Sequence, residues 1–393
     1  MKIIFIALLL NSLIFSLDFD SMRASEEEAM KQKKSEFEQK KLDENNEFDT
    51  YSKSFEKEYK AYKKELAEYW KNPELSTKKD WVSYSEDKQS RSKVDFKNNE
   101  ITIEVIAPSQ EEAEGKITKR LSYVVSKDTK EVVNTDPLQR RVSQINKSKI
   151  DKPVLMDSKP ILSNVLFDKK PTKKDIQSYT KKTVKKNKIK VRKSKFENKN
   201  VYKMTVALPK NSTLKRSQVY KDEIIKNANY FDIPVELVFA IMHTESNFNP
   251  FAKSHIPAFG LMQIVPHSAG RDVYKYLYNK DGMPTASYLY NSANNIEMGS
   301  TYLYILYYRY LKKIKNPQSR LYCTIAAYNT GAGNIAWAFT RRNNVSMAAY
   351  KINAMEPEEV YNHLLSNLRY DEPKHYLKRV RTRMGSYKKA YNL

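Results

Sequence analysis

Cysteine is nearly absent from this chain of 393 residues. Cys323 is the one cysteine in the sequence, so neither an intramolecular disulfide nor a cysteine-based zinc knuckle can form. We therefore expect Cys323, in the apolar stretch LYCTIAAY, to be a small buried side chain. Apolar residues are also too scarce for a polytopic membrane protein, because the mean hydropathy is −0.72.

Acidic side chains are too few to balance the basic ones. The chain has 70 Lys and Arg against 46 Asp and Glu, a formal net charge of +24. The surplus is uneven, since residues 151–210 carry 18 basic and 5 acidic side chains. Such a surplus favours an anionic partner, namely nucleic acid, acidic lipid or acidic glycan. The Lys-rich part, KKPTKKDIQSYTKKTVKKNKIKVRKSK, shows no packed face. We predict a solvated loop there, with contact to an anionic polymer as the alternative.

The N-terminus carries the pattern of an export signal. In MKIIFIALLLNSLIFSLDFDS, one lysine precedes an apolar run of about 14 residues, which is short for a membrane span. We predict a signal peptide at residues 1–17 and a periplasmic protein, with an uncleaved anchor as the alternative. No cysteine follows the run, so we expect no lipid attachment there. An association with the outer membrane or the cell wall is left open.

Residues 18–74 form a charged segment in which apolar residues recur at helical spacing. This narrow stripe comprises Phe48, Tyr51, Phe55, Tyr59, Tyr62, Leu66 and Tyr69. The spacing predicts a helix that Pro73 ends. The helix is either a coiled-coil or docking element, or it packs on its own domain.

Residues 75–210 have the patterns of a small α+β domain. The stretch KVDFKNNEITIEVIA alternates polar and apolar residues on both sides of Asn98 and Asn99, which predicts a β-hairpin. An amphipathic helix, EEAEGKITKRLSYVVSK, and a later strand, NVYKMTVALP, follow. From residue 211 to 393 the periodicity is helical and no strand pattern competes. The predicted fold class is α+β, with a small mixed α/β domain before an all-α domain.

A carboxylate interrupts the apolar face of one predicted helix. In VELVFAIMHTESNFNP, Leu237, Ile241 and Glu245 follow at i, i+4 and i+8. The helix should end near Ser246 because asparagine and proline follow, which would place the carboxyl where the helix meets a cleft. Partial burial would raise the pKa of Glu245 and make it a usable general acid. The alternative is an exposed glutamate in the last turn.

Two further stretches could bind a sugar. In FAKSHIPAFGLMQIVPHSAGRDV, Gly260 permits a tight backbone, Met262 can pack on a sugar face, and Gln263 can hydrogen-bond an acetamido or hydroxyl group. In AAYNTGAGN, a Tyr–Asn pair precedes glycines that let the backbone approach a ligand. Alone, the first stretch also suits a helix start and the second a plain C-cap.

Together these stretches resemble a known family. In order and spacing, TESNFNPFAKSHIPAFGLMQIVPHSA, NNIEMGSTYL and AYNTGAGN are similar to the transglycosylase domain of Slt-type lytic murein transglycosylases, which has the goose-type lysozyme fold. Upstream, DWVSYSEDKQSRSKVDFKNNEITIEVIA resembles the N-terminal domain of the murein transglycosylase C family. The resemblance covers residues from about 75 to 393.

The resemblance implies a site and a reaction. Glu245 matches the single catalytic acid/base, and the matching cleft positions are Ser254, Met262, Gln263, Tyr328, Asn329 and Tyr376. The implied partner is the peptidoglycan glycan strand, with no cofactor and no metal. The implied reaction cleaves the MurNAc–GlcNAc β-1,4 bond without water and leaves a 1,6-anhydromuramoyl end. Ile256 and Phe259 depart from the family pattern and could reshape the cleft.

The same residues argue against four other functions. A lysozyme-like hydrolase normally needs a second carboxylate, and Asp272, Asp281 and Glu297 lie in no recognisable context for one. A non-catalytic peptidoglycan-binding protein would have a degraded site. A zinc hydrolase would use histidines at a spacing of twelve, His243, His255 and His267, which places no two ligands on one helix face. Nucleic acid binding is suggested by charge alone and is not expected.

Overall fold

The computed structural model describes residues 2–145 and 156–393, which fall into two compact units, Met1–Lys53 and Ser54–Leu393. The strands are β1 Asp80–Tyr84, β2 Ser90–Asp95, β3 Glu100–Ala107, β4 Ile189–Lys193 and β5 Asn200–Ala207. The helices are α1 Lys2–Ala67, α2 Gln110–Ser126, α3 Thr129–Thr135, α4 Pro137–Ile145, α5 Ser163–Leu166, α6 Lys173–Lys186, α7 Ser212–Gln218, α8 Lys221–Tyr230, α9 Val235–Ser246, α10 Arg271–Tyr278, α11 Ala286–Tyr290, α12 Ser292–Tyr304, α13 Pro317–Thr330, α14 Ala332–Thr340, α15 Val345–Ile352, α16 Pro357–Asn367 and α17 Asp371–Tyr391. Short π-helical turns occur at Pro266–Gly270 and Ile305–Tyr310.

The first unit is helical. It consists of the greater part of α1, and nearly all of its described side chains are exposed from residue 21 to residue 47. Among the described residues, no helix combines the length and the apolar character that a membrane crossing requires. The signal peptide at residues 1–17 stays a prediction.

The last turns of α1 pack in the second unit. Phe55 is 2% exposed and Leu66 is fully buried. The Phe55 ring meets the Phe259 ring edge to face, with 5.8 Å between centroids, and Arg141 binds Glu65 at 2.7 Å. For the stripe from Phe55 onward, packing on its own domain is therefore the confirmed interpretation.

The strands form an antiparallel sheet of order β1-β2-β3-β5-β4 among the described residues. Asp95 pairs with Glu100 at the end of the hairpin, and Asn99 takes a left-handed conformation with a φ of 56°. Helix α2 buries its apolar face, including Ile117 and Leu121, against the sheet. The predicted hairpin, amphipathic helix and late strand are all confirmed.

The prediction of a solvated loop in the Lys-rich stretch is wrong. Helix α6 begins there with a reciprocal cap between Thr172 and Asp175, and β4 then pairs with β5 at the edge of the sheet. The buried side chains of α6 are Thr180, Thr183 and Val184. Because two of these carry hydroxyl groups, the helix has a packed face without an apolar stripe in its sequence.

After β5 the elements of the described chain are helices, as predicted, and the loop between α9 and Pro266 adds two isolated β-bridges. Helices α9 and α17 lie along each other, and the Phe239 ring stacks on the Tyr387 ring at 5.2 Å. Cys323 in α13 is fully buried and free, which confirms the expectation for it. The α+β fold class is confirmed: a mixed sheet region precedes a helical region.

A buried arginine ties the sheet to the helices. The guanidinium of Arg216 donates to the Asn247 carbonyl at 3.3 Å, the Phe96 carbonyl at 2.9 Å and the Asn99 side chain at 3.0 Å. These bonds join α7, the end of α9 and the β2–β3 turn within one compact unit. The domain limits at residues 74 and 210 stay predictions.

We expect Phe55→Ala to destabilise the second unit by about 3 kcal/mol, because it removes a buried ring and leaves a cavity beside Phe259. Denaturant unfolding followed by fluorescence measures the loss. The matched control is Leu42→Ala, which shortens an exposed side chain on the same helix and should change little. Equal stability of the two variants would show that the end of α1 is not part of the core.

Candidate active site

Glu245 lies in the last turn of α9, a helix with almost no exposed face. Its side chain is 8% exposed, and the neighbouring Ile241 and Met242 are fully buried. Asn247 ends the helix in a left-handed conformation with a φ of 55°, and its N–H donates to the His243 carbonyl at 3.1 Å. The predicted end near Ser246 is confirmed, and the carboxylate is held on a rigid element.

The backbone after α9 is strained. Phe248 follows Asn247 with a φ of 62°, which is uncommon for a bulky residue. Packing compensates, since Phe248 is 1% exposed and its ring lies 5.7 Å from the His243 ring. Strain of this kind concentrates near functional sites, and here it turns the chain sharply beside Glu245.

The segment before β1, residues 77–79, is hydrogen-bonded to the end of α9 and to the loop that follows it. The Lys79 ammonium donates to the Thr244 carbonyl at 2.7 Å and to the His243 carbonyl at 3.4 Å. A cation at a helix C-terminus both satisfies the last carbonyls and complements the helix dipole. The Asn249 amide donates to the carbonyls of residues 77 and 78, each at 3.4 Å. The sheet region thus builds one wall of the site.

Opposing effects act on the Glu245 carboxyl. Burial raises the pKa of Glu245 above its ordinary value, while Lys78 opposes the rise most strongly. The Tyr376 hydroxyl and Lys79 also lower this pKa, and Glu372 raises it. Burial lowers the pKa of Lys79 to about 7, against the effect of Glu245. The net result is a carboxyl that holds its proton to higher pH than usual.

Two buried phenols adjoin Glu245. Tyr328 of α13 donates its hydroxyl to the Met262 carbonyl at 2.9 Å. Tyr376 of α17 lies close enough to act on the Glu245 carboxyl, yet within the described chain its hydroxyl forms no hydrogen bond of ordinary geometry. Burial and then the Glu245 charge raise the pKa of both tyrosines well above its ordinary value. Both hydroxyls therefore stay protonated and able to donate.

The loop around Gly260 is tightly packed, as expected. A Cβ there would lie 2.4 Å from the Leu289 carbonyl oxygen, and the φ of Gly260 is 77°. The Gln263 side-chain nitrogen donates to the carbonyls of Ala252 at 3.0 Å and Gly260 at 3.1 Å. Its side-chain oxygen is buried and has no hydrogen-bond partner among the described residues. Gln263 can therefore accept a bond from a ligand, but its amino group holds the loop.

Met262 is fully buried beneath this loop. Its N–H donates to the Asn295 side chain at 2.7 Å, and its sulfur lies 2.3 Å from where a Cβ of Gly299 would stand. The glycine in NNIEMGSTYL therefore makes room for this thioether. In this structure the side chain of Met262 packs beneath the loop of Gly260 and supports it.

The remaining cleft candidates lie at the periphery. Ser254 is half-buried, and its hydroxyl donates to the Ile256 carbonyl within its own turn. The Asn329 amide donates to the Glu372 carboxylate at 3.4 Å. Glu372 is exposed and lies one turn before Tyr376 on α17. Glu372 also raises the pKa of Glu245, so a second carboxylate lies near enough to act on it.

The two residues that depart from the family pattern, Phe259 and Ile256, differ in exposure. Phe259 is fully buried between Phe55 and Tyr290, with ring centroids 5.8 Å and 5.7 Å away. Ile256 is 53% exposed at the loop surface. Of the two, only Ile256 is positioned to meet a ligand.

Two of the other carboxylates and one of the histidines have environments that set them apart from Glu245. Asp281 binds Arg271 at 2.7 Å, and Asp272 accepts a bond from Tyr310 at 2.9 Å. Burial lowers the pKa of His243 to about 3, so its ring stays neutral. Within the described ranges, no group of three or more His, Cys, Asp or Glu side chains is placed to hold a metal ion.

Comparison with known proteins decides the family. The model of the transglycosylase SLT domain matches residues 222–351. Membrane-bound lytic murein transglycosylase C of Klebsiella pneumoniae is 34% identical over 329 residues, 80% of this chain and 83% of that protein. The protein of the same name in Salmonella typhimurium is 33% identical over 79% of this chain and 82% of its own length. This chain belongs to the membrane-bound lytic murein transglycosylase C family. The resemblance predicted from the sequence is thereby confirmed.

Solved structures of lytic transglycosylases are also similar to part of the chain. The 70 kDa soluble lytic transglycosylase of Escherichia coli is 24% identical, covers 43% of this chain and 24% of its own, and gives a TM-score of 0.34. Slt of Pseudomonas aeruginosa is 18% identical, covers 46% of this chain and 28% of its own, and gives a TM-score of 0.35.

The basic side chains around the carboxylate are not predictable from the sequence. Lys78 Nζ lies 3.8 Å from Glu245 Oε2, and Arg383 donates to the Thr244 hydroxyl at 2.8 Å. Both are distant from Glu245 in sequence, and both occur in lysine- and arginine-rich stretches. Nothing in the local pattern separates them from solvated basic residues.

We expect Gly299→Ala to destabilise the protein by roughly 2 kcal/mol, because its Cβ would overlap the Met262 side chain. The matched control is Gly115→Ala, where nothing lies within 4 Å and alanine should stabilise helix α2 by about 1 kcal/mol. Thermal unfolding measures both. Met262→Ala should partly relieve the first substitution, and strictly additive losses in the double variant would refute the contact.

Proposed function

We propose that Glu245 is the single acid and base of a peptidoglycan lytic transglycosylase. The observation that carries this proposal is a buried carboxyl with a raised pKa, fixed at a helix end and faced by Tyr376. As a member of its family, the chain cleaves the MurNAc–GlcNAc β-1,4 bond of peptidoglycan. The geometry supports Glu245 as the group that does so.

The reaction uses the same carboxyl twice. Protonated Glu245 donates its proton to the glycosidic oxygen as the bond to C1 of the muramoyl residue breaks. The resulting carboxylate then takes the proton of the muramoyl C6 hydroxyl, whose oxygen bonds to C1. The product is a 1,6-anhydromuramoyl end, and no water is consumed. Because the attack is internal, positioning supplies much of the rate.

We assign the glycan contacts to the residues around this carboxyl. The Gln263 side-chain oxygen and the Tyr376 hydroxyl have bonding capacity left among the described residues. Ser254 and Asn329 line the approach, while Tyr328 and Met262 hold the loop that carries Gln263. The described residues carry no metal cluster, and the proposed chemistry calls for neither a metal nor a cofactor.

Hydrolysis is the alternative that one observation favours. Glu372 is a second carboxylate close enough to raise the pKa of Glu245, and glycoside hydrolases normally use such a pair. Its bond to Asn329 gives it a structural role instead. The two functions differ in their products, because hydrolysis consumes one water for each cleaved bond and leaves a muramoyl end that is one water heavier than the anhydro end.

We expect Glu245→Gln to lower the cleavage rate by at least about 100-fold, since the amide can neither donate nor accept the required proton. Mass spectrometry of digested sacculi measures both rate and product, with Glu372→Gln as the matched control. Glu372→Gln should keep anhydro products. Mostly reducing-end products from the wild type would contradict the transglycosylase mechanism, and an active Glu245→Gln variant would contradict the assignment.

We further propose that the protein works in the periplasm and that the basic surface of α6 helps to hold it on an anionic envelope component. The lysines of this surface are Lys173, Lys174, Lys181, Lys182, Lys185 and Lys186. They form no ion pair within the described part of the chain. An unpaired surplus of one sign attracts an anionic polymer or surface.

We expect replacement of Lys181, Lys182, Lys185 and Lys186 by glutamine to lower the salt concentration that elutes the protein from sacculi. The control replaces four exposed lysines of α1, which are Lys31, Lys33, Lys34 and Lys40, and removes the same charge. Equal losses would indicate net charge rather than this surface. Stronger retention on DNA than on sacculi at matched salt would favour nucleic acid instead.

A further inference from the structure

We propose that residues 77–79, which lead into β1, complete the active site, and that Lys78 is a positioning residue for Glu245. Its ammonium stabilises the Glu245 carboxylate between the two proton transfers. This inference rests on the proposed function, because it assumes that Glu245 is the group that transfers the proton. It assigns a role in catalysis to the sheet region, which lies outside the residues matched by the SLT domain model.

The position of Lys78 suits this role. Lys78 Nζ lies 3.8 Å from Glu245 Oε2, and the lysine side chain is 40% exposed while that of the glutamate is 8% exposed. The ammonium thus keeps part of its hydration and still reaches a carboxyl that water hardly reaches. A charge at this distance acts strongly on a buried group and is only partly screened.

The main chain of this segment is fixed to the catalytic helix. The carbonyls of Thr77 and Lys78 accept bonds from the Asn249 amide, and the Lys253 N–H donates to the Thr77 carbonyl at 3.4 Å. On the far side, Lys79 binds the carbonyls at the end of α9. These hydrogen bonds therefore fix the position of the Lys78 main chain relative to Glu245.

The other groups around Glu245 cannot replace Lys78. The Lys79 ammonium is bound to two main-chain carbonyls and lies near Arg379 and Arg383, whose charges act against its own. The Tyr376 and Tyr328 hydroxyls are neutral donors, and Glu372 raises the pKa of Glu245 instead of lowering it. Among these groups, Lys78 is a cation that reaches the carboxylate itself.

In the proposed reaction Glu245 loses one proton and regains one proton, and Lys78 takes part in neither transfer. In the first step the Glu245 O–H bond breaks, the proton goes to the leaving oxygen, and the glycosidic bond at C1 breaks. In the second step the C6 oxygen bonds to C1 and returns its proton to Glu245. Between the steps Glu245 is an anion in a site that disfavours charge. The Lys78 ammonium offsets this cost for that interval.

Replacement of the charge provides the test. In Lys78→Met, the alkaline fall of kcat/KM should move to higher pH, because an unpaired Glu245 keeps its proton longer. The plateau should fall about fivefold, equivalent to roughly 1 kcal/mol, because the carboxylate is less stable. Lys78→Arg should restore both. The matched control is Lys97→Met, an exposed lysine in the hairpin turn, which should behave as wild type.

A second readout does not depend on activity. In full-length protein labelled with carbon-13 at glutamate carboxyls, the Glu245 signal is assigned by its loss in Glu245→Gln. Its titration midpoint should rise in Lys78→Met and stay in Lys78→Arg. An unchanged midpoint and an unmoved alkaline limb in Lys78→Met would overturn the role of Lys78 while leaving the proposed function standing. Full activity in Glu245→Gln would instead overturn the proposed function, whatever the midpoint does.

Discussion

The site depends on the burial of one carboxyl at the end of an apolar helix. A charged carboxylate is costly away from water unless other groups compensate, so a raised pKa follows from the position of Glu245 itself. The surrounding structure limits that cost. Lys78 and Lys79 approach from the sheet region, Tyr376 approaches from α17, and Tyr328 lies on α13.

Parts of the chain that are remote in sequence converge on this helix end. Arg216 holds the hairpin turn against Asn247, and the last turns of α1 place Phe55 against Phe259, just before Gly260. The loop with Gln263 is therefore supported from behind by a helix that the family resemblance does not include. Rigid support of this kind is what a site needs when a proton must leave and return along short paths.

The sequence predicts the elements that depend on a local residue pattern. It does not predict contacts between residues that are far apart in the chain. Alternation around Asn99 indicates the hairpin, and the apolar stripe before Glu245 indicates the buried helix end. Lys78 gives no local signal, because its partner lies in a helix more than 150 residues later. Helix α6 was missed because its packed face uses Thr180 and Thr183. The direction of Phe259 is likewise set by Phe55, which no local pattern pairs with it.

A single carboxyl that acts as acid and then as base must avoid both extremes of proton affinity. If burial acted alone, Glu245 would hold its proton so firmly that donation would be slow. If cations fully compensated for burial, the carboxylate would be too weak a base to take the proton of a hydroxyl. Brønsted behaviour favours a catalytic group whose pKa lies near the working pH. Burial raises the pKa of Glu245, while Lys78, Tyr376 and Lys79 act against that rise. On the proposed mechanism, the sheet region would therefore contribute to proton transfer through Lys78, together with the helix that carries the carboxyl.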